Sequence, residues 1–282
     1  MERKRVAIVG VGLIGGSLAI QLHEKKIAAA LIGVEPNETH AAIAIERELV
    51  DLILPLEEAI AQSDLIILAV PVDVLHQLLP KVLDLVMNQV VTDAGSTKEG
   101  LIASVKNHPK RGRYVAAHPM WGTEYNGPQS AVRTAFENKA CVICNAADTD
   151  ADALTVVSGM YKKMGMHILM MDAAQHDIHA AYVSHISHIT SFALANTVLQ
   201  KETEEQAIFE MASAGFESTV RLAKSNPAMW LPIFMQNKAN VLDVLEEHIH
   251  QLSLFKAALE KNDNKALQHF MEDANSIKKI IQ

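Results

Sequence analysis

V6-A-I-V-G10-V-G12-L-I-G15-G16-S17 is a short apolar strand, a glycine turn and a helix start in immediate succession. That order suits a dinucleotide pyrophosphate. Gly10 permits the tight turn, Gly12 lacks the Cβ that would block the phosphates, and Gly15 lets the helix pack on the strand. The first helical turn, with Leu13 and Ile14, offers free N–H groups to the anion. Glycine turns are common, and one that serves packing alone is the plainer reading of the motif by itself. The context strengthens the ligand reading. A second strand, L31-I-G-V-E35, ends in an acid 20 residues beyond Gly15, where a carboxylate would take the adenosine ribose hydroxyls. Glu35 also selects NAD over NADP: it would repel a 2′-phosphate, and no arginine follows it directly.

Working outward, apolar runs at Val6–Val9, Leu31–Val34, Leu65–Val70, Val90–Thr92, Tyr114–Ala116, Ala140–Ile143 and His167–Met170 read as buried strands. Helical patterns fall between them, among them Leu13–Lys25, Thr39–Val50, Val74–Val86 and Lys98–Asn107. Such alternation predicts an α/β fold of Rossmann type, a doubly wound and mostly parallel sheet. Ligands of these sheets bind beyond the carboxyl ends of the strands, which places Val70, just before Pro71, in a loop over the cofactor. The alternation stops near Met171. Asp172–Gln200 reads as one long helix, followed by Glu204–Ala214, a glycine break at Gly215, a short helix to Lys224, and helices at Pro232–Leu259 and Lys265–Ile281. The expected organisation is a dinucleotide-binding domain at 1–171 and an all-α substrate and dimerisation domain at 172–282. So much apolar helical surface points to a homodimer, the alternative being that the helices of a single chain fold on one another.

Composition excludes several classes. A net charge of −8 argues against a nucleic-acid partner. No apolar run is long enough to span a bilayer, so no membrane partner is expected. The charged N-terminus enters the first strand without the apolar core of a signal peptide, which makes cytoplasmic residence the expectation. The two cysteines sit in C141-V-I-C144, inside a strand pattern. Strand side chains three apart point to opposite faces, so this pair is ill placed for a disulfide or a shared metal.

Four polar stretches could carry chemistry. In D93-A-G-S-T-K98, Ser96 either faces the cofactor cleft or caps the following helix. In H118-P-M-W-G-T123-E124, His118 ends a strand, where it could meet substrate as a neutral-pH base or simply lie on the surface. H176-D-I-H179 and H185-I-S-H188 lie on the long helix. At about 100° per residue, His176 and His179 share one face and His185 and His188 the opposite one. A metal held by one H-x-x-H pair with His118 lacks a clearly placed acidic or cysteine ligand, and no metal is expected. In F216-E-S-T-V-R221-L-A-K-S-N-P-A-M-W230, the planar guanidinium of Arg221 suits a small carboxylate, although a helix-surface arginine with Trp230 in the core is the simpler reading.

Taken in order, G10-V-G-L-I-G-G-S17, D93-A-G-S-T-K98, H118-P-M-W-G-T-E124, S184-H-I-S-H188 and G215-F-E-S-T-V-R221 with M229-W230 resemble the prephenate and arogenate dehydrogenases of tyrosine biosynthesis. The resemblance covers almost the whole chain and implies a nucleotide-binding domain followed by a helical dimerisation domain. It implies NAD-dependent oxidative decarboxylation of prephenate to 4-hydroxyphenylpyruvate. On that pattern, His118 is the catalytic histidine at the ring hydroxyl and Ser96 its hydrogen-bond partner near the nicotinamide. Thr123, Glu124, His185 and His188 approach substrate, with His188 the preferred ligand. Arg221 holds a substrate carboxylate and Trp230 lines that end of the pocket. Ala214, Ser218 and Val220 stand where the family often has glycine, aspartate and threonine, which bears on substrate preference. Arogenate is the alternative substrate. More distant readings are a β-hydroxyacid or imine-reducing enzyme, which would place lysine or aspartate where this chain has its histidines, and an NAD-binding sensor without turnover.

Overall fold

Alternating apolar side chains build one eight-stranded sheet with a separate core on each face. The computed structural model describes residues 3–204 and 208–280. Its strands are β1 (Lys4–Val9), β2 (Ala28–Val34), β3 (Leu52–Ile53), β4 (Leu65–Leu68), β5 (Val90–Asp93), β6 (Tyr114–Pro119), β7 (Ala140–Cys144) and β8 (His167–Met171), in the order β3-β2-β1-β4-β5-β6-β7-β8. The first six run parallel; β7 is antiparallel to β6, and β8 is parallel to β7. Val6 and Ile8 of β1 enter one core and Ala7 and Val9 the other, as a period of two requires. The same alternation separates the cysteines, with Cys141 in the first core and Cys144 in the second. Burial pushes both thiols up, Cys144 to about 12.

The intervening helices are α1 (Leu13–Glu24), α2 (Glu38–Glu46), α3 (Leu56–Ala61), α4 (Val72–Leu85), α5 (Glu99–Ser104) and α6 (Ala151–Lys163). The strand order reverses between β1 and β4, the switch point at which doubly wound sheets bind ligands. In register, Val9 pairs with Leu68, Leu68 with Asp93 and Thr92 with Val115. The glycine turn, Ala69–Val70, the Asp93–Lys98 loop and His118 therefore all follow from carboxyl ends of neighbouring parallel strands.

Beyond β8 the described residues hold no strand. Helices α7 (Ala173–Ala180), α8 (Ile186–Glu204), α9 (Ala214–Val220) and α10 (Pro227–Gln236) come next. Three expectations need correcting. Over 208–213 there is only a 3₁₀ turn, Phe209–Met211, where a helix from Glu204 to Ala214 was expected; residues 205–207 lie outside the described residues. Gly215 lies inside α9, and the break falls at Ala212 and Ser213, whose backbones are extended. The Pro232–Leu259 pattern is two helices, because the chain turns at Asn237 between α10 and α11 (Lys238–Glu260).

The chain divides into two compact units, Met1–Asn237 and Lys238–Gln282. The second comprises α11 and α12 (Asn264–Asn275), joined by an edge-to-face contact of Phe255 with Phe270 at 5.4 Å between ring centroids. A 3₁₀ turn, Ser276–Lys279, ends the last helical stretch, and Ile281 lies outside the described residues. Helix α11 leaves Ile249, Leu252 and Leu259 exposed. No described helix is long and apolar enough to cross a membrane.

Candidate active site

The nucleotide end is built from β1, α1 and β2. Gly10 has φ +88°, and a Cβ there would lie 2.6 Å from the Ala69 carbonyl oxygen and 2.8 Å from Val70 Cγ1. A Cβ at Gly15 would lie 2.0 Å from the Gly10 carbonyl oxygen, so glycine is what lets α1 start against β1. Gly12 is different: a Cβ there would meet nothing within 4 Å. Packing therefore does not require glycine at position 12, whereas close approach of a ligand does. Helix α1 has no side-chain cap and no acid in its first turn, so its N-terminal amides remain available to an anion. Glu35, at the end of β2, accepts from the Val11 amide at 3.1 Å and from the Asn37 amide at 3.1 Å. Its carboxylate is thereby held beside the glycine turn. These residues fit an NAD-type cofactor, with the pyrophosphate on the Gly12–Gly15 turn and the ribose at Glu35.

The reactive end begins at His118, buried near the end of β6. Its Nδ1 lies 2.8 Å from Nε2 of His176 on α7, and His176 Nδ1 lies 2.7 Å from Asp177 Oδ1. Asp177 also accepts from the Lys98 amide at 2.8 Å and the Glu99 amide at 2.9 Å. Burial pushes the Asp177 carboxyl up, but the hydrogen bonds from His176, Glu99 and Lys98 outweigh it and hold the group below the usual carboxylate range. Burial, then the nearby His176, Lys98 and His185, hold His118 well below the ordinary histidine value, so it is neutral at physiological pH. Lys98 is itself fully buried and ion-paired with Asp93, which also accepts from the Tyr114 hydroxyl at 2.7 Å.

From Asp177 a line of contacts runs through Asn237 and His185 to Trp230 and His188. His185, pushed down to about 4 chiefly by burial, lies edge-to-face with Trp230 at 6.0 Å. Asn237 Nδ2 donates to the Asp177 carbonyl at 2.7 Å and lies 3.2 Å from His185 Nδ1. His188 stacks on Trp230 at 3.4 Å, and burial lowers it too. The Trp230 N–H is buried and has no hydrogen-bond partner among the described residues. Arg221, in the 3₁₀ turn Arg221–Lys224, is half exposed and donates to Glu124 Oε2 at 2.7 Å. Thr123, one residue earlier on the loop after β6, accepts from the Tyr125 amide at 3.3 Å.

The histidine arrangement departs from the expectation of opposite faces. The helix from Ala173 to Glu204 passes through a π-turn at Ala181–His185. A π-turn absorbs one extra residue, about 100° of phase. His176, His185 and His188 consequently all turn inward and are buried, while His179 is exposed. The capping reading of Ser96 fails as well: α5 has no cap from its own loop, and the Asp177 carboxylate takes the Lys98 and Glu99 amides. Among the described residues no hydrogen bond joins Ser96 to His118, whose Nδ1 faces His176; Ser96 is half-buried in the loop after β5. His176, Asp177, Lys98 and Asn237 were not singled out for the site from sequence. The H176-D177 pair at the start of the helix after the last strand was the available signal.

Residues 18–170 match the family model described as prephenate dehydrogenase, nucleotide-binding domain, and residues 172–273 match prephenate dehydrogenase, dimerization domain. The chain belongs to the prephenate dehydrogenase family. Membership makes it an NAD-dependent dehydrogenase. It is 27% identical to a prephenate dehydrogenase of Lactococcus lactis subsp. cremoris, covering 99% of this chain and 78% of that protein. It is 28% identical to a cyclohexadienyl dehydrogenase of Zymomonas mobilis, covering 95% and 93% respectively. Prephenate dehydrogenase from A. aeolicus, in complex with hydroxyphenyl propionate and NAD+, superposes with a TM-score of 0.91 at 27% identity, covering 100% of this chain and 99% of that one.

Proposed function

We propose that this member of the prephenate dehydrogenase family oxidatively decarboxylates prephenate to 4-hydroxyphenylpyruvate, with His118 as the general base. The observation that carries the reading is a buried, neutral histidine at the carboxyl end of β6, backed by buried His176 and Asp177; Arg221, whose charge acts on His188, is the group that can hold a carboxylate. Bound NAD+ supplies the hydride acceptor. The Gly12–Gly15 turn, Leu13, Ile14 and Val70 hold the cofactor, and Glu35 takes its adenosine ribose. His118 accepts the ring hydroxyl proton as the 4-oxygen becomes a carbonyl. Ser96, from the loop after β5, is the second polar side chain we place against that oxygen. Loss of the ring carboxylate as CO2 then yields the aromatic ring. Arg221 binds a substrate carboxylate and fixes the pose of the ring, using donors beyond the one given to Glu124. His188 and Trp230 form the wall between the two ends, with His185, Thr123 and Glu124 around it.

Arogenate is the second reading, with Glu124, the carboxylate paired with Arg221 on the loop after β6, as the group that would meet its ammonium. The domain boundary we propose is 171/172, with the helical part forming a homodimer; the exposed Ile249, Leu252 and Leu259 of α11 support this, as does the dimerization-domain match. A cytoplasmic location accompanies the reading. The test is NADH formation with prephenate and arogenate side by side. Prephenate should turn over with the higher kcat/KM; NAD binding without turnover of either would refute the assignment.

A further inference from the structure

We propose that Asp177 and His176 are positioning residues that fix the tautomer of His118, forming a buried Asp–His–His relay behind the base. The inference rests on His118 being the base and concerns what makes it one. Asp177 is acceptor-only when ionised, and three donors converge on its two oxygens: His176 Nδ1 and the Lys98 amide on Oδ1, and the Glu99 amide on Oδ2. His176 therefore carries its proton on Nδ1. Its Nε2 is then a lone pair, and the atom facing it at 2.8 Å, His118 Nδ1, must be the donor. That leaves His118 Nε2 as a lone pair, free to take the hydroxyl proton. When it does, the Nδ1 proton can shift toward His176 Nε2, placing the positive charge next to the Asp177 carboxylate. No atom or electron is left over: one proton enters at Nε2 and one moves along the chain.

The surroundings suit this role. The ionisable groups near His118 are Lys98 from the loop after β5, His176 of α7 and His185 of the π-turn. Lys98 is already paired with Asp93, and His185 meets a donor on its own Nδ1 through Asn237. Asp177 is thus the one anion on the relay. The π-turn matters because it turns His185 inward, where Asn237, at the end of α10, lies 3.2 Å from His185 Nδ1 and donates to the Asp177 carbonyl. Each of these groups is buried, so each contact works in a low dielectric.

The test has one arm that needs no substrate. ¹⁵N NMR of the imidazoles in the unliganded protein should show neutral His118 protonated on Nδ1, and Asp177→Asn should abolish that preference. Protonation on Nε2 in the wild type overturns the proposal. The second arm is steady-state kinetics with prephenate. His176→Ala should lower kcat by about 10²–10⁴, the range seen when a base loses its orienting partner. His176→Gln keeps an acceptor for His118 Nδ1 and a donor for Asp177, and should recover at least about tenfold of that loss. KM for NAD+ should stay within about twofold throughout. Equal losses in the Ala and Gln variants, or a change confined to KM, overturn the relay. If wild-type protein fails to oxidise prephenate, the proposed reaction falls, while the NMR arm still decides the tautomer.

Discussion

Gly12→Ala separates what the glycine turn does for the fold from what it does for the cofactor. Gly12 has φ −87°, open to any residue, and its added Cβ would meet nothing within 4 Å. The change should therefore leave folding almost intact. Alanine loses some helix-capping preference but reduces the freedom of the unfolded chain, and the two effects oppose each other at about 1 kcal/mol or less. For a unit of this size that moves Tm by no more than about 4 °C. The cofactor is another matter. A methyl group on the ligand side of the turn keeps the pyrophosphate off the α1 amides. Losing one hydrogen bond to a charged group costs about 1.5–3 kcal/mol, or roughly 10- to 150-fold in Kd. Calorimetric titration of NAD+ into the variant, beside a thermal melt, reads both quantities. A folded variant with wild-type NAD+ affinity would refute the placement of the pyrophosphate. Gly15→Ala is the control, since its Cβ would lie 2.0 Å from the Gly10 carbonyl oxygen and should destabilise the fold outright.

Glu35 should make kcat/KM for NAD+ exceed that for NADP+ by at least about tenfold, and Glu35→Gln should narrow the gap; a wild-type preference for NADP+ would remove the ribose contact. Arg221→Gln should raise KM for prephenate by roughly 10- to 150-fold while kcat falls less, as expected for lost carboxylate binding. Stability should fall with acid. His185 is held at about 4 in the fold against 6.5 when unfolded, so the unfolded chain binds the proton first. Its contribution, about 3 kcal/mol in full, is present above about pH 6.5 and is lost as pH falls toward about 4. Calorimetric Tm should drop between about pH 7 and about pH 5, and less so in His185→Gln; a flat profile would show that His185 titrates normally.

The sheet was legible because its strands are near-continuous apolar runs set between helical patterns, and because the glycine turn names its own first strand. The two-residue β3 escaped because Leu52–Ile53 is too short to show a period. The opposite faces of Cys141 and Cys144 followed from the strand period alone. The histidine helix misled for a physical reason. A wheel at constant pitch separates His176 from His185 and His188, and nothing in A181-Y-V-S-H185 marks a π-turn. Asp177 was invisible for a related reason: it caps α5 from 78 positions away, a tertiary contact that replaces the local Ser96 cap. Arg221 and Trp230 were findable only as members of an ordered set of motifs, since each alone reads as an ordinary surface or core residue.

The most direct test of His118 as the base is the kinetics of His118→Asn with prephenate and NAD+, beside NAD+ binding to the same protein. A general base at this position predicts a kcat lower by about 10²–10⁴ with NAD+ affinity unchanged. A folded variant that keeps near-wild-type kcat would contradict it.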